Sequence, residues 1–263
     1  MSATSLLQPL TAIAERAGQA ILEVYASDFT ATEKSDHSPL TEADLAAHRI
    51  IVAALRELTP EMPVLSEESA RIPYAVRRGW ERYWLVDPLD GTREFIKKNG
   101  EFTVNIALIE RGAPIIGVVH VPVTATSYLG CAGVGAFRQD ARGKTPIRVQ
   151  LPPPSPPRVV ASRSHRGPEV DAFLEKLGRH EIVSVGSSLK FCLLAEGRAD
   201  LYPRLGPTCE WDTAAGHAVA AAAGATVIDI NGAPLRYNQK DTLLNPYFLV
   251  FGNPDFDWRA CLE

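Results

Sequence analysis

Long apolar runs are missing from this 263-residue chain, and no segment approaches the length needed to span a bilayer. The N-terminus has no basic region followed by an apolar core. A cytoplasmic location is therefore expected, with at most a peripheral association on the inner face of the inner membrane. Cysteine is scarce: Cys131, Cys192, Cys209 and Cys261 lie far apart without a Cys-x-x-Cys pair, which argues against a zinc site or a disulfide framework. Basic charge is not in excess, with 27 Lys and Arg against 31 Asp and Glu, which argues against general nucleic-acid binding. No Gly-x-x-x-x-Gly-Lys-Ser/Thr loop and no Gly-x-Gly-x-x-Gly after a strand occurs, and no Gly-x-Ser-x-Gly elbow. Nucleoside triphosphate and dinucleotide cofactors are not indicated, nor is a serine or cysteine nucleophile. His37, His48, His120, His180 and His217 have no ligand partner at useful spacing and read as structural.

What is present is concentrated in six positions. Asp87-Pro88-Leu89-Asp90-Gly91-Thr92 follows the apolar run Tyr83-Trp84-Leu85-Val86. Two carboxylates this close repel each other unless a cation lies between them, and carboxylate and carbonyl oxygens are the ligands of a hard ion such as Mg²⁺. Pro88 stiffens the turn and biases Asp87 toward extended backbone. Gly91 permits a conformation closed to other residues, and a short helix starting near Thr92 would point N–H groups at an anion.

Helical spacing runs over residues 10–25 and again from Thr41 to about Leu58. Val64-Leu65 is strand-like, and Phe102 to Ile109 pairs with Ile115 to Val121 as a hairpin around Arg111-Gly112-Ala113-Pro114. Five prolines in residues 152–157 make 151–157 a stiff connector. It divides an α+β half (1–150) from an α/β half (158–263). The latter alternates strands at 159–161, 182–185, 201–202, 225–230 and 247–251 with helices at 168–178, 189–195 and 212–223.

Three further acidic positions sit at element ends. Glu67-Glu68 follows Val64-Leu65; alone it would be a solvated face. Asp44 completes a Thr-x-x-acid pattern, which alone reads as a capping box. Asp212 opens its helix and is equally readable as an N-cap. Only as a set, joined to Asp87 and Asp90, do they favour a site for two or three Mg²⁺ ions. Gly186-Ser187-Ser188-Leu189-Lys190 offers N–H groups, hydroxyls and a lysine to a phosphate, or equally an N-cap with a solvated lysine. Arg204 is another candidate phosphate contact. His165, closing Ser162-Arg163-Ser164-His165 after a strand, is a candidate ligand contact.

Glu67-Glu68, Asp87-Pro88-Leu89-Asp90-Gly91-Thr92 and Trp211-Asp212, in this order, resemble the signatures of the lithium-sensitive, Mg²⁺-dependent phosphatase superfamily of inositol monophosphatase and fructose-1,6-bisphosphatase. Residues 87–110 and 186–217 are more similar to its bacterial 3′(2′),5′-bisphosphate nucleotidases. The resemblance covers essentially the whole chain and implies a layered αβαβα sandwich. It further implies that Glu67, Asp87 and the Leu89 carbonyl hold one Mg²⁺, and that Asp87, Asp90 and Asp212 hold a second. Asp44 and Thr92 would orient and deprotonate the attacking water, and the Gly91 and Thr92 N–H groups would hold the phosphate. Substrate contacts would come from Glu67, Leu89, Asp90, Gly91, Thr92, His165, Ser187, Lys190, Arg204 and Asp212. The implied reaction is hydrolysis of the 3′-phosphate of adenosine 3′,5′-bisphosphate to AMP. The alternative is an inositol or sugar-phosphate monophosphatase with the same metal site. No macromolecular partner is implied, with a homodimer as the form of any self-association. The dense proline connector departs from the family pattern and bears on how the halves meet rather than on the chemistry.

Overall fold

The computed structural model describes residues 3–28, 30, 32–33, 39–163 and 167–262. The chain opens with α1 (Ala3–Tyr25), the two-residue strands β1 (Thr32–Glu33) and β2 (Pro39–Leu40), and α2 (Glu42–Leu58). β3 (Val64–Ser66), α3 (Tyr74–Arg77), β4 (Arg82–Asp90) and α4 (Thr92–Ile96) follow. An antiparallel meander then continues through β5 (Thr103–Glu110), β6 (Ala113–Val121), β7 (Thr126–Cys131), β8 (Gly135–Asp140) and β9 (Gly143–Ile147). With β3 parallel to β4, these strands form a seven-stranded sheet in chain order. The C-terminal portion comprises β10 (Arg158–Ser162), α5 (Pro168–Leu177), β11 (Glu181–Val185), α6 (Leu189–Ala195), β12 (Leu201–Arg204), α7 (Glu210–Ala222), β13 (Thr226–Asp229) and β14 (Phe248–Phe251). Its sheet has the order β11-β10-β12-β14-β13.

Period-two alternation explains how one sheet supports two cores. Trp84, Val86, Val104, Ile106, Leu108, Ile116 and Val118 face α1 and α2, whose buried stripes include Leu10, Ile13, Ala17, Ile51 and Leu55. The residues between them, including Tyr83, Leu85, Ala107, Ile109 and Val119, face α6 and α7. Those helices also receive Val160, Tyr202, Phe248 and Val250 from the smaller sheet. Its opposite face packs Val159, Leu201, Leu249 and Phe251 on Val170, Phe173 and Leu174 of α5. The layers are helices, sheet, helices, sheet, helix: the expected αβαβα sandwich.

Gly117 and Gly130 are register partners on β6 and β7. A Cβ at Gly117 would lie 2.2 Å from the Ala215 carbonyl oxygen, and one at Gly130 would lie 2.5 Å from that of Ala218. Their bare backbone forms the bed for alanine-rich α7, and so fixes the helix that carries Asp212.

Several boundaries differ from the sequence reading. α1 starts at Ala3 rather than at residue 10, because buried Leu6 and Leu7 extend its apolar stripe across Pro9. α7 starts at Glu210, so Asp212 is not an N-cap but the third helical residue. β7 to β9 were not anticipated. β9, Gly-Lys-Thr-Pro-Ile, is almost wholly exposed and lies at the sheet edge, where a proline is tolerated and no apolar alternation is required.

Candidate active site

β4 ends in a register irregularity between Asp87 and Asp90 against β5. That bulge turns residues that would alternate across a sheet toward a common region. The Leu89 N–H donates to Asp87 Oδ1 at 3.1 Å. Gly91 takes φ +91°, which a side chain would resist, and α4 begins at Thr92.

Asp44 reaches this turn from α2 while serving as its cap. The Asp44 Oδ2 atom accepts the Thr41 N–H at 2.8 Å and the Thr41 hydroxyl at 2.7 Å. Its other oxygen faces Thr92, whose hydroxyl lies 3.2 Å from Asp44 Oδ1 and 3.3 Å from the Leu89 carbonyl oxygen. The cap is formed, and it uses one oxygen of the carboxylate while the other stays directed at Thr92.

Glu67 and Glu68 diverge. Glu67 shares a hydrogen bond with Asp87 and its charge acts on that group, whereas the charge of Glu68 acts on His48. Asp87 is buried, and burial together with the charges of Glu67, Asp90 and Asp212 pushes it well above the ordinary carboxylate range. Asp212 is raised likewise by burial, then by Asp90 and Glu67. Asp87 and Asp212, each disfavoured in its charged form by burial and by neighbouring acids, belong to a donor set of the kind a hard dication stabilises. Among the described residues no three acids already converge at coordinating distance; each is engaged with a protein partner instead. The Asp212 Oδ2 atom accepts the Cys209 N–H at 2.8 Å, and Asp90 Oδ2 lies 2.8 Å from Ser188 Oγ. The residue types and their grouping fit Mg²⁺.

A cleft of about 240 Å³ opens above them, lined by Asp90, Gly91, Thr92, Ser187, Lys190, Arg204 and Asp212 among others. Asp87 and Leu89 are buried behind it. Lys190 is buried, its Nζ donates to the Ser187 carbonyl at 2.6 Å, and burial pushes it down to about 8. This replaces the solvated lysine of the alternative reading. Arg204 donates to the Pro207 carbonyl at 2.6 Å, and its Nε is buried with no partner among the described residues. His165 lies outside the described residues.

Two contributors, Asn105 and Glu94, were not singled out from the sequence, and Ser188 was named only as one of a phosphate-facing set. The Ser188 Oγ sits 2.8 Å from Asp90 Oδ2 and 2.6 Å from the Asp212 carbonyl oxygen, and accepts Asn105 Nδ2–H at 2.9 Å. Ser188 and Asn105 thus join β4, β5, α6 and α7 at one point. Asn105 breaks an otherwise apolar strand and could have been singled out on that ground; Ser188 carried no signal beyond its neighbours. Glu94 is buried in the cleft wall and bonded by Asn99.

The sequence and the fold have counterparts among known proteins. The chain is 53% identical over 247 residues to the 3′(2′),5′-bisphosphate nucleotidase CysQ of Escherichia coli (strain K12), covering 93% of this chain and 99% of that protein. It is 36% identical to CysQ of Haemophilus influenzae, over 98% of this chain and 97% of the relative. The crystal structure of CysQ from Bacteroides thetaiotaomicron superposes with a TM-score of 0.83 at 46% identity, covering 93% of this chain and 97% of that one. At 23% identity, the suhB protein of Bartonella henselae still superposes with a TM-score of 0.81, over 98% of both chains, which speaks for the fold alone. With the inositol monophosphatase family model matching residues 3–251, the chain belongs to the inositol monophosphatase family.

Proposed function

We propose that this chain is a 3′(2′),5′-bisphosphate nucleotidase that hydrolyses the 3′-phosphate of adenosine 3′,5′-bisphosphate to give AMP and phosphate. The observation that carries the substrate class is the pairing, in one cleft, of Lys190 and Arg204 with Asp90, Thr92 and Asp212. A substrate with two phosphates needs cations beyond those at the reacting centre, and two buried basic side chains supply them. Relatives over half identical across nearly their whole length bear the nucleotidase name, which supports the same reading.

Metal dependence, typically on Mg²⁺, follows from the family. In this reading Glu67, Asp87 and the Leu89 carbonyl would hold one Mg²⁺, and Asp87, Asp90 and Asp212 would hold a second. When bound, Mg²⁺ would make water more acidic and offset negative charge on phosphate and leaving oxygens. The Thr92 hydroxyl orients the attacking water, and Asp44, one hydrogen bond behind it, takes the proton. General-base help of this kind contributes on the order of 10²–10⁴-fold. The Gly91 and Thr92 N–H groups grip the scissile phosphate at the start of α4. Ser187, Lys190 and Arg204 hold the nucleotide.

The test is phosphate release from adenosine 3′,5′-bisphosphate, inositol 1-phosphate and fructose 1,6-bisphosphate, each with Mg²⁺ and with chelator. Strong preference for the nucleotide, abolished by chelator, is expected. Preference for inositol 1-phosphate would overturn the substrate assignment and leave the carboxylate site standing.

A further inference from the structure

Glu101 stands outside the metal motif and the cationic wall, yet it touches both. Its carboxylate accepts Arg163 in a two-point pairing, Nε to Oε2 at 2.8 Å and Nη2 to Oε1 at 2.8 Å. The same Oε2 accepts the Gly186 N–H at 2.8 Å. Arg163 is itself anchored, donating to the Ser184 carbonyl at 2.8 Å. The backbone is as closely engaged as the side chain. A Cβ added at Gly91 would lie 3.0 Å from the Glu101 carbonyl oxygen, and one added at Gly186 would lie 2.9 Å from it. Two glycines that both line the cleft therefore close on a single residue.

What Glu101 holds is the start of the phosphate-facing loop. Gly186 leads into Ser187, a non-glycine residue at φ +46°, a conformation that persists only where its surroundings impose it. Ser188 follows, with its hydroxyl between Asp90 and the Asp212 carbonyl, and then Lys190. We infer that Glu101 is a positioning residue, which with Arg163 clamps the Gly186–Ser188 loop against the Gly91–Thr92 turn and so sets the affinity of the cleft for phosphate. It does not reach the reacting atoms: it acts through a backbone N–H. This rests on the cleft being the phosphate site but not on which organic group is released.

The test compares wild type with Glu101→Ala, Glu101→Gln and Arg163→Ala. Hydrogen exchange at 186–189 reads the clamp directly, and inorganic phosphate binding in the presence of Mg²⁺ reads its consequence. Losing a charge-assisted hydrogen bond and its partner is expected to speed exchange there and weaken phosphate binding by about 10-fold or more in Glu101→Ala. KM should rise while kcat changes far less. Glu101→Gln retains an oxygen for the Gly186 N–H but not the ion pair, and should fall between wild type and Glu101→Ala. Arg163→Ala leaves the Gly186 contact and should resemble Glu101→Gln; it also serves if Glu101→Ala does not fold. Unchanged exchange at 186–189 in the variants, or a fall in kcat with KM and phosphate affinity untouched, would overturn the inference. Failure of wild type on the bisphosphate would sink the nucleotidase reading alone, because exchange and phosphate binding are measured without it.

Discussion

In the proposed mechanism Asp44 has two roles, one on each oxygen, and substitution can separate them. In Asp44→Asn the amide keeps one acceptor. If it faces Thr41, where two donors lie at 2.8 and 2.7 Å, its NH₂ is turned toward Thr92 and can accept nothing. The Thr92 hydroxyl is then left with the Leu89 carbonyl, 3.3 Å away, and the attacking water has no route for its proton. Turnover should fall by about 10²–10⁴-fold. Weakening one buried, charge-assisted set of hydrogen bonds should cost about 1–3 kcal/mol of stability. Thr41→Ala is the control. It removes the hydroxyl that Ala43 N–H reaches at 3.2 Å and leaves Asp44 Oδ1 toward Thr92. It should cost about 1 kcal/mol, a drop of about 2–4 °C in Tm for a chain of this size, with turnover within a few-fold of wild type. Phosphate release and thermal melts on both variants decide the matter. Asp44→Asn with near-normal turnover and a lowered Tm would reduce Asp44 to a helix cap, and Thr41→Ala as inactive as Asp44→Asn would show that the two roles cannot be divided.

Gly117→Ala would push a methyl to within 2.2 Å of the Ala215 carbonyl oxygen. It should lift α7, cost about 1–3 kcal/mol and weaken Mg²⁺ binding at Asp212; melts together with a Mg²⁺ titration would expose an unmoved helix. Lys190, pushed by burial from the ordinary lysine value down to about 8, is charged below that pH and neutral above it. KM for an anionic substrate should rise as pH passes 8 in wild type and not in Lys190→Met, and a wild-type KM indifferent to pH across that value would contradict the role. Burial lowers His120 from 6.5 to about 4, so it is neutral when folded and takes a proton on unfolding between these values. Its contribution to stability is complete above pH 6.5 and is lost as pH falls toward 4, by about 1.4 kcal/mol per pH unit. Denaturant melts of His120→Asn should show a shallower acid slope than wild type, and equal slopes would refute the assignment.

How much of this can be read without the structure depends on what fixes each residue. Asp87 to Thr92 is a local device: proline, glycine and strand end lie within six positions, so its chemistry can be read directly. Asp44 and Asp212 are each ambiguous, because an N-terminal carboxylate caps a helix as well as it serves a site; only the Thr92 contact and the mutual charge effects separate the two. Ser188 and Asn105 could not be ranked, since their importance arises from four elements meeting at one hydroxyl, and no spacing encodes that. β9 was missed for the opposite reason. An edge strand exposed on both faces has nothing to bury, so its sequence keeps no period-two record of being a strand.

That difference in origin bears on how such a site diverges. The acids stand on stiff supports: a bulged interior strand, the first turn of α2, and a helix bedded on Gly117 and Gly130. Moving any one of them disturbs a core on at least one side of the large sheet. The wall formed by Ser187, Lys190 and Arg204 is set instead by a short loop and the end of β12, held to the acids chiefly through Ser188 and to the Gly91 turn through Glu101. In the proposed reading, changes at Lys190 or Arg204 alter what is gripped beyond the scissile phosphate and leave the supports of the carboxylates in place, acting on Asp212 only through charge. Ser188 is the exception, because its one hydroxyl serves Asp90 and Asp212 together. Ser188→Ala should therefore cost Mg²⁺ affinity as well as substrate affinity, whereas Lys190→Met should cost only the latter. Parallel titrations of Mg²⁺ and substrate distinguish the two, and a purely substrate-side defect in Ser188→Ala would show that the loop and the acids are independent after all.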